Sequence, residues 1–392
     1  MTEHQMGRYG VADLLRTQVP DVAEHMTRVA ARIDTFMDQM YPAAPGGDAD
    51  PELLADPAAW SALSPAAKQQ TGADLGQALV APVRHLLQAG GQRWRTTLIL
   101  QVIEALGGEE GAFGPLVGAA ELTHTGSLMV DDVEDDAPTR RGRPAVHQVF
   151  GAPVALNAGT LAYFAFDRAV QSTLAHDPHL QAEIYGVYLA ALRAAHAGQA
   201  LDIQGHHREM HSALATGSPT QLLERVLLTH RLKSGVMQGG WLQIAAMVSG
   251  APEPVHQALA RFGTAVGTAY QICDDIADLR GVIRAGQATK QAGEDLRNAK
   301  VTMPLAYAVQ LLPAHLMRPM WHTIHTGQVD TAFIAETIQR FEECGALNTC
   351  ATRATTLLDD AWEELHPLLP AGPATDLLYA MAHHLIHRNL AR

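Results

Sequence analysis

Glu121 to Gly151 reads ELTHTGSLMVDDVEDDAPTRRGRPAVHQVFG, and Tyr270 to Gly281 reads YQICDDIADLRG. Each stretch holds the pattern Asp-Asp-x-x-Asp: Asp131, Asp132 and Asp135 in the first, Asp274, Asp275 and Asp278 in the second. On a helix, positions i, i+1 and i+4 gather three carboxylates at one end of a single face, where they repel one another unless cations intervene. Hard divalent cations such as Mg²⁺ take oxygen ligands and commonly bridge one or two carboxylates to a substrate's phosphates. Two such clusters therefore suggest a diphosphate clamped between them. A single copy is equally well read as a solvated acidic face. Two copies in mostly apolar, helical surroundings argue against that plainer reading.

The rest of the chain is helical in pattern too. From Val11 to Met40, apolar residues such as Val19, Val22, Met26, Val29, Ile33, Phe36 and Met40 recur at helical spacing and predict an amphipathic helix. Tyr41 to Pro65 is rich in Pro, Ala, Gly and Asp and reads as a connector. Beyond it, segments rich in Ala and Leu alternate with short Gly/Pro punctuation, which predicts helices throughout. Ser218-Pro219-Thr220-Gln221 has the form of a helix start, with Ser as N-cap and Pro in the first turn. The helix it opens carries Lys233 near its end. Pro138 limits the first aspartate helix soon after Asp135. No linker divides the 392 residues, so the expectation is one large helical domain.

A formal charge of −13 and the absence of Lys/Arg runs exclude nucleic acid as a partner, since a phosphate backbone needs a basic footprint. An anionic substrate must then be held by a few placed cations and by metal. Cys273, Cys344 and Cys350 form neither an even framework nor a metal-ligand spacing and fit a reducing cytosol. The start MTEHQMGRYG lacks the signature of a signal peptide, and no run of about 18 apolar residues exists. The expectation is a cytoplasmic protein with no integral membrane segment.

With their flanks, the two clusters resemble the aspartate-rich motifs of the trans-isoprenyl diphosphate synthases, the polyprenyl synthetase family, and in particular its geranylgeranyl diphosphate synthases. The resemblance covers about Leu86 to the C-terminus. It implies an N-terminal helical extension with a Pro/Ala/Gly-rich connector over 1–80, and a polyprenyl synthetase domain over 81–392. It also implies the isoprenoid synthase fold, an all-α single-domain bundle around a central apolar cavity, and a homodimer. The implied activity is a Mg²⁺-dependent prenyltransferase of isoprenoid and terpene biosynthesis. Such an enzyme condenses an allylic diphosphate with isopentenyl diphosphate into an all-trans polyprenyl diphosphate of C20 or longer.

The resemblance also carries roles for individual residues. All six aspartates would ligate about three Mg²⁺ ions, with Mn²⁺ as an alternative metal, and these would neutralise the leaving diphosphate. Arg140, Lys233, Lys290 and Lys300 match cations on the allylic diphosphate, and Gln271 and Gln199, with Asp202, match positions lining the cavity. The implied catalytic set is Asp131, Asp132, Asp135, Arg140, Lys233, Gln271 and Asp274. Lys233-Ser234 resembles the family's Lys-Thr pair and keeps its hydroxyl. Lys300, in GEDLRNAKVTMP, follows Ala299 where the family has Gly. For isopentenyl diphosphate, Gly90-Gly91-Gln92-Arg93-Trp94-Arg95 resembles GGKRxR, with Arg95, His124 and Arg141 as further contacts. Gln92 stands where the pattern has lysine, Thr96 where it has Pro, and Val130 where it has His.

Product length depends on what closes the cavity. The family's floor positions, four and five residues before the first aspartate, are here the small Ser127 and Gly126, which implies passage of chains beyond C15. Tyr163, Phe164 and Phe166 are candidates for a deeper floor. Two rival readings stay open. Gln92 and Val130 motivate a class I terpene cyclase, or a prenyltransferase onto another acceptor. Against the cyclase, both aspartate motifs are kept where cyclases usually replace the second. A non-catalytic partner subunit would be expected to lose aspartates, and none is lost.

Overall fold

In the computed structural model, residues 22–41, 56–284 and 287–390 are described. The only strands among them form two short hairpins, so the fold is all-α as expected. Two compact units are distinguished by their internal contacts. One comprises Ala23–Leu100 and Glu109–Gln181, the other chiefly Gln101–Gly108 and the chain from Ala182 on.

The first unit is organised by the 21-residue helix Gly114–Glu134. Its apolar residues Leu116, Val117, Leu122 and Met129 are buried, and it packs on the helices Ala152–Tyr163 and Ala165–Thr173. Gly126 lets two backbones meet: a Cβ there would fall far inside contact distance of the Gly159 carbonyl and within 2.9 Å of the Ala162 Cβ. The amphipathic N-terminal helix is observed over Val22–Met40, with Met26, Val29, Ile33 and Met37 buried; the predicted stretch 11–21 lies outside the described residues. The predicted connector is helical at its C-terminal end. Pro57–Ser61 and Pro65–Leu75 are helical, capped by the side chains of Asp56 and Ser64. Their prolines open helices at positions whose N–H needs no intrahelical partner.

In the second unit the 28-residue helix Glu253–Arg280 is central and packs on Val236–Val248, Ala346–Leu365 and Pro373–Leu390. It meets Val236–Val248 through glycines. A Cβ on Gly239 or Gly263 would strike the partner helix within 2.9 Å, and Gly235 and Gly267 are equally tight where the preceding turn meets it. This close approach fixes the turn before Val236 against the helix carrying the second aspartate cluster. The predicted helix start at Ser218 shifts: the helix is Thr220–His230, its N-cap is Pro219, and no side chain caps it. Ser218 Oγ instead lies 3.3 Å from Thr220 Oγ1. No described helix is long and apolar enough to cross a membrane. All three cysteines are unpaired.

Candidate active site

The first aspartate helix presents two faces. His124, Ser127, Asp131 and Asp135 follow i, i+3/i+4 spacing and are all at least partly exposed, so they form one accessible stripe. Asp132 is turned inward with no exposure, and its carboxylate is paired with Arg140. Arg140 Nε donates to Asp132 Oδ1 at 2.6 Å and Nη2 reaches Asp131 Oδ2 at 3.3 Å. Burial pushes the Asp132 pKa up, and Arg140 opposes it. Arg140 is aimed by a hairpin, Thr139–Arg140 against Arg143–Pro144, whose two loop residues Arg141 (φ 54°) and Gly142 (φ 76°) are both left-handed, as a type I′ turn requires. Tyr163 is buried near the cluster, its hydroxyl pKa raised to about 12 by burial and then by the carboxylates of Glu134 and Asp131. Phe166 is a core residue and Phe164 is exposed.

A cationic basin adjoins this stripe. Arg95 Nη1 lies 3.2 Å from His124 Nε2, and its guanidinium stacks 4.3 Å over the Trp94 ring. Arg141 donates to the carbonyls of Gly90 and Leu86. A Cβ on Gly91 would meet that guanidinium at 2.9 Å, and the φ of 151° at Gly91 is one that side-chain-bearing residues rarely adopt. Burial lowers the Arg141 pKa to about 10. Arg93 is absorbed by the core, donating to Glu121 at 2.7 Å, and Thr96 donates to the Arg93 carbonyl at 2.8 Å. Gln92, half-buried, stays at the turn.

His124 is held well below the usual histidine range, by burial first and then by Arg95, Arg141, Arg140 and Arg93. A histidine depressed on folding binds its proton more readily when unfolded. It therefore costs stability as pH falls below the unfolded value of about 6.5. The urea midpoint of the wild type should fall more steeply between pH 7.5 and 5 than that of His124→Gln. Parallel slopes would show that His124 does not feel these arginines.

In the second unit, Lys233-Ser234 lies on a π-helical turn, Arg231–Gly235, of the kind often found at functional sites. Gly198 lets this turn approach the helix Pro178–Gln204, since a Cβ there would fall on the Lys233 backbone. Lys233 Nζ donates to Asp202 Oδ2 at 2.7 Å, and Lys300 Nζ lies 3.7 Å from the same oxygen. Burial would raise the Asp202 pKa, but the two lysines outweigh it and hold it low. Ser234 Oγ donates to Gln271 Oε1 at 2.9 Å. Gln199 is half-buried on its helix. Lys290 ends the strand Gln287–Lys290; its side chain lies outside the described residues.

The second aspartate cluster is unequal in exposure. Asp274 is half-exposed. Asp275, 4% exposed, accepts from His230 Nε2 and from the Met303 amide, both at 2.9 Å on Oδ2. Asp278, fully buried, accepts the Asp295 amide at 2.8 Å. Sequence reasoning missed His230, which is a lone histidine without a motif. Burial alone would lower the His230 pKa, but Asp275 outweighs it and holds it up.

Oxygen-rich, accessible carboxylates at Asp131, Asp135 and Asp274 suit a hard cation. Asp132 Oδ2 is buried without a hydrogen-bond partner among the described residues. No three His, Cys, Asp or Glu side chains among the described residues converge into a ready-made cage.

A profile of the family described as polyprenyl synthetase matches residues 76–335. The chain is 29% identical over 313 residues to a short chain isoprenyl diphosphate synthase of Methanothermobacter thermautotrophicus, covering 80% of this chain and 91% of the relative. It is 31% identical over 262 residues to a farnesyl diphosphate synthase of Geobacillus stearothermophilus, covering 64% and 82%. Its fold matches the crystal structure of the Corynebacterium glutamicum geranylgeranyl pyrophosphate synthase, solved with isoprenyl diphosphate and magnesium. The TM-score is 0.71 at 21% identity, covering 94% of this chain and all of the other. The chain belongs to the polyprenyl synthetase family.

Proposed function

We propose that this protein is a Mg²⁺-dependent isoprenyl diphosphate synthase that joins an allylic diphosphate to isopentenyl diphosphate and releases a polyprenyl diphosphate of C20 or longer. The observation that carries the reading is, in one unit, an accessible aspartate stripe (Asp131, Asp135) with the Arg140 guanidinium on Asp131, and in the other an accessible Asp274 on the same helix as Gln271, which accepts from Ser234 beside Lys233. Asp131, Asp132 and Asp135 in one unit, and Asp274, Asp275 and Asp278 in the other, would hold metal ions, and Mg²⁺ would supply Lewis-acid stabilisation of the departing diphosphate. Arg140, Lys233, Lys290 and Lys300 add charge to the same group. Positive charge placed where negative charge develops lowers the barrier to breaking the allylic C–O bond. Ser234 and Gln271 orient each other at the edge of this group. The allylic carbon then bonds to the terminal alkene carbon of isopentenyl diphosphate, and a proton passes from that substrate to the released diphosphate as the new double bond forms. Arg95, Arg141 and neutral His124 would hold the isopentenyl diphosphate. The homodimer is supported by the helix Pro178–Gln204, which leaves Leu189 and Ile203 53% and 56% exposed.

Gln92 tests the acceptor. Restoring a lysine adds one charge-assisted hydrogen bond, a contribution of ~1–3 kcal/mol. Gln92→Lys should therefore lower the KM for isopentenyl diphosphate about tenfold and leave that for the allylic substrate nearly unchanged. If the natural acceptor is another nucleophile, the same change would raise chain elongation while the native product falls. No effect on either substrate would show that residue 92 does not face the pocket.

A further inference from the structure

We infer that His207 is a positioning residue for Lys300, holding through the Ala299 carbonyl the turn from which that lysine projects. This presupposes the reading above in which Lys300 contacts the allylic diphosphate. The short helix Glu294–Arg297 closes with two bonds: the Ala299 amide donates to Leu296 O at 3.2 Å, and the Lys300 amide to Asp295 O at 2.9 Å. Such a closure needs a left-handed residue between the helix and the lysine, and glycine is the ordinary occupant. Here it is Ala299, at φ 53°. An alanine Cβ crowds a carbonyl in this conformation, so the turn is not held by its own preference.

An external grip is present. His207 Nε2 lies 2.8 Å from Ala299 O, and because a carbonyl only accepts, Nε2 carries the proton. The imidazole is itself fixed, with its ring edge-on to those of His325 at 5.0 Å and Trp321 at 5.5 Å. The preceding residue, His206, is left-handed (φ 56°) and bonds the buried Thr229 hydroxyl at 3.0 Å. The same corner carries Asp202, the carboxylate that pairs with Lys233 and Lys300. Residues 202–207 thus hold the lysine at two points, its ammonium and the peptide before it. Loss of the His207 bond frees the strained peptide and moves the origin of the Lys300 side chain.

The test uses the full-length enzyme and four variants: His207→Phe, His207→Gln, Lys300→Ala and the Lys300→Ala/His207→Phe double. The readouts are steady-state constants for each substrate and calorimetric binding of an allylic thiolodiphosphate with Mg²⁺. His207→Phe should lose about tenfold in allylic kcat/KM and in thiolodiphosphate affinity, with the isopentenyl diphosphate KM unchanged. His207→Gln, whose amide can reach the same carbonyl, should recover most of the loss. In the Lys300→Ala background His207→Phe should cost nothing further. Wild-type affinity in His207→Phe, or an additive loss in the double variant, would overturn the inference alone. Unchanged allylic affinity in Lys300→Ala would overturn the lysine's role and the inference with it. Should His207→Phe fail to fold, His207→Asn, too short to reach the carbonyl, carries the same expectations.

Discussion

Asp131→Ala and Asp274→Ala should each lower turnover by at least ~10²-fold, because each removes an accessible carboxylate from the metal that stabilises the departing diphosphate. Both side chains are partly exposed on their helices, so folding should survive and the circular dichroism should stay helical. The neighbouring Asp275 gives the contrast. Its carboxylate is buried and accepts from His230 and the Met303 amide. Asp275→Ala leaves two buried donors without an acceptor, at a cost of ~1–3 kcal/mol for each unsatisfied group. A lower urea midpoint should therefore accompany any loss of activity in that variant. Near-normal turnover in Asp131→Ala or Asp274→Ala, with metal still required, would contradict the two-cluster assignment.

Adjacent residues on the first aspartate helix should respond in opposite ways to the same substitution. Gly126 was read from sequence as a floor position, but it faces the Gly159 carbonyl and the Ala162 side chain. Phenylalanine there must push one backbone off another, a clash at or beyond the upper end of overpacking costs of ~1–3 kcal/mol. Gly126→Phe should therefore lose soluble, cooperatively folding protein. Ser127 is exposed on the stripe that carries His124 and Asp131, its hydroxyl donating to the His124 carbonyl at 2.8 Å. Ser127→Phe should fold and shift the product toward C15, because one aromatic ring one turn below Asp131 obstructs a growing chain. Chromatography of the products and a denaturation curve for each variant separate the two. An active Ser127→Phe enzyme with unchanged product lengths would move the floor elsewhere, with Tyr163 the next residue to replace.

The helical class and the two clusters were legible because both depend on local periodicity, which one sequence carries in full. Gly126 was misread because spacing fixes a helical face but not which neighbour that face meets; the contact with Gly159 comes from a helix some thirty residues on. Asp275 and Asp278 look like Asp274 in sequence. Burial distinguishes them, and it depends on backbone amides at Met303 and Asp295 that no side-chain pattern announces. Ser218 failed as a cap for a smaller reason, since the helix begins two residues later. Arg93 sits inside a motif of diphosphate-binding type, yet it pairs with Asp34 and with Glu121, a buried acid whose role only the tertiary packing reveals.

The protein elongates an allylic diphosphate with isopentenyl diphosphate. Purified protein offered C5, C10, C15 and C20 allylic diphosphates with Mg²⁺, with and without isopentenyl diphosphate, and followed by mass spectrometry of the products, tests it most directly. The expected result is isopentenyl-dependent formation of prenyl diphosphates of C20 or longer, abolished by chelation of the metal. Consumption of an allylic diphosphate without isopentenyl diphosphate, giving a cyclised hydrocarbon or no product longer than the starter, would contradict it.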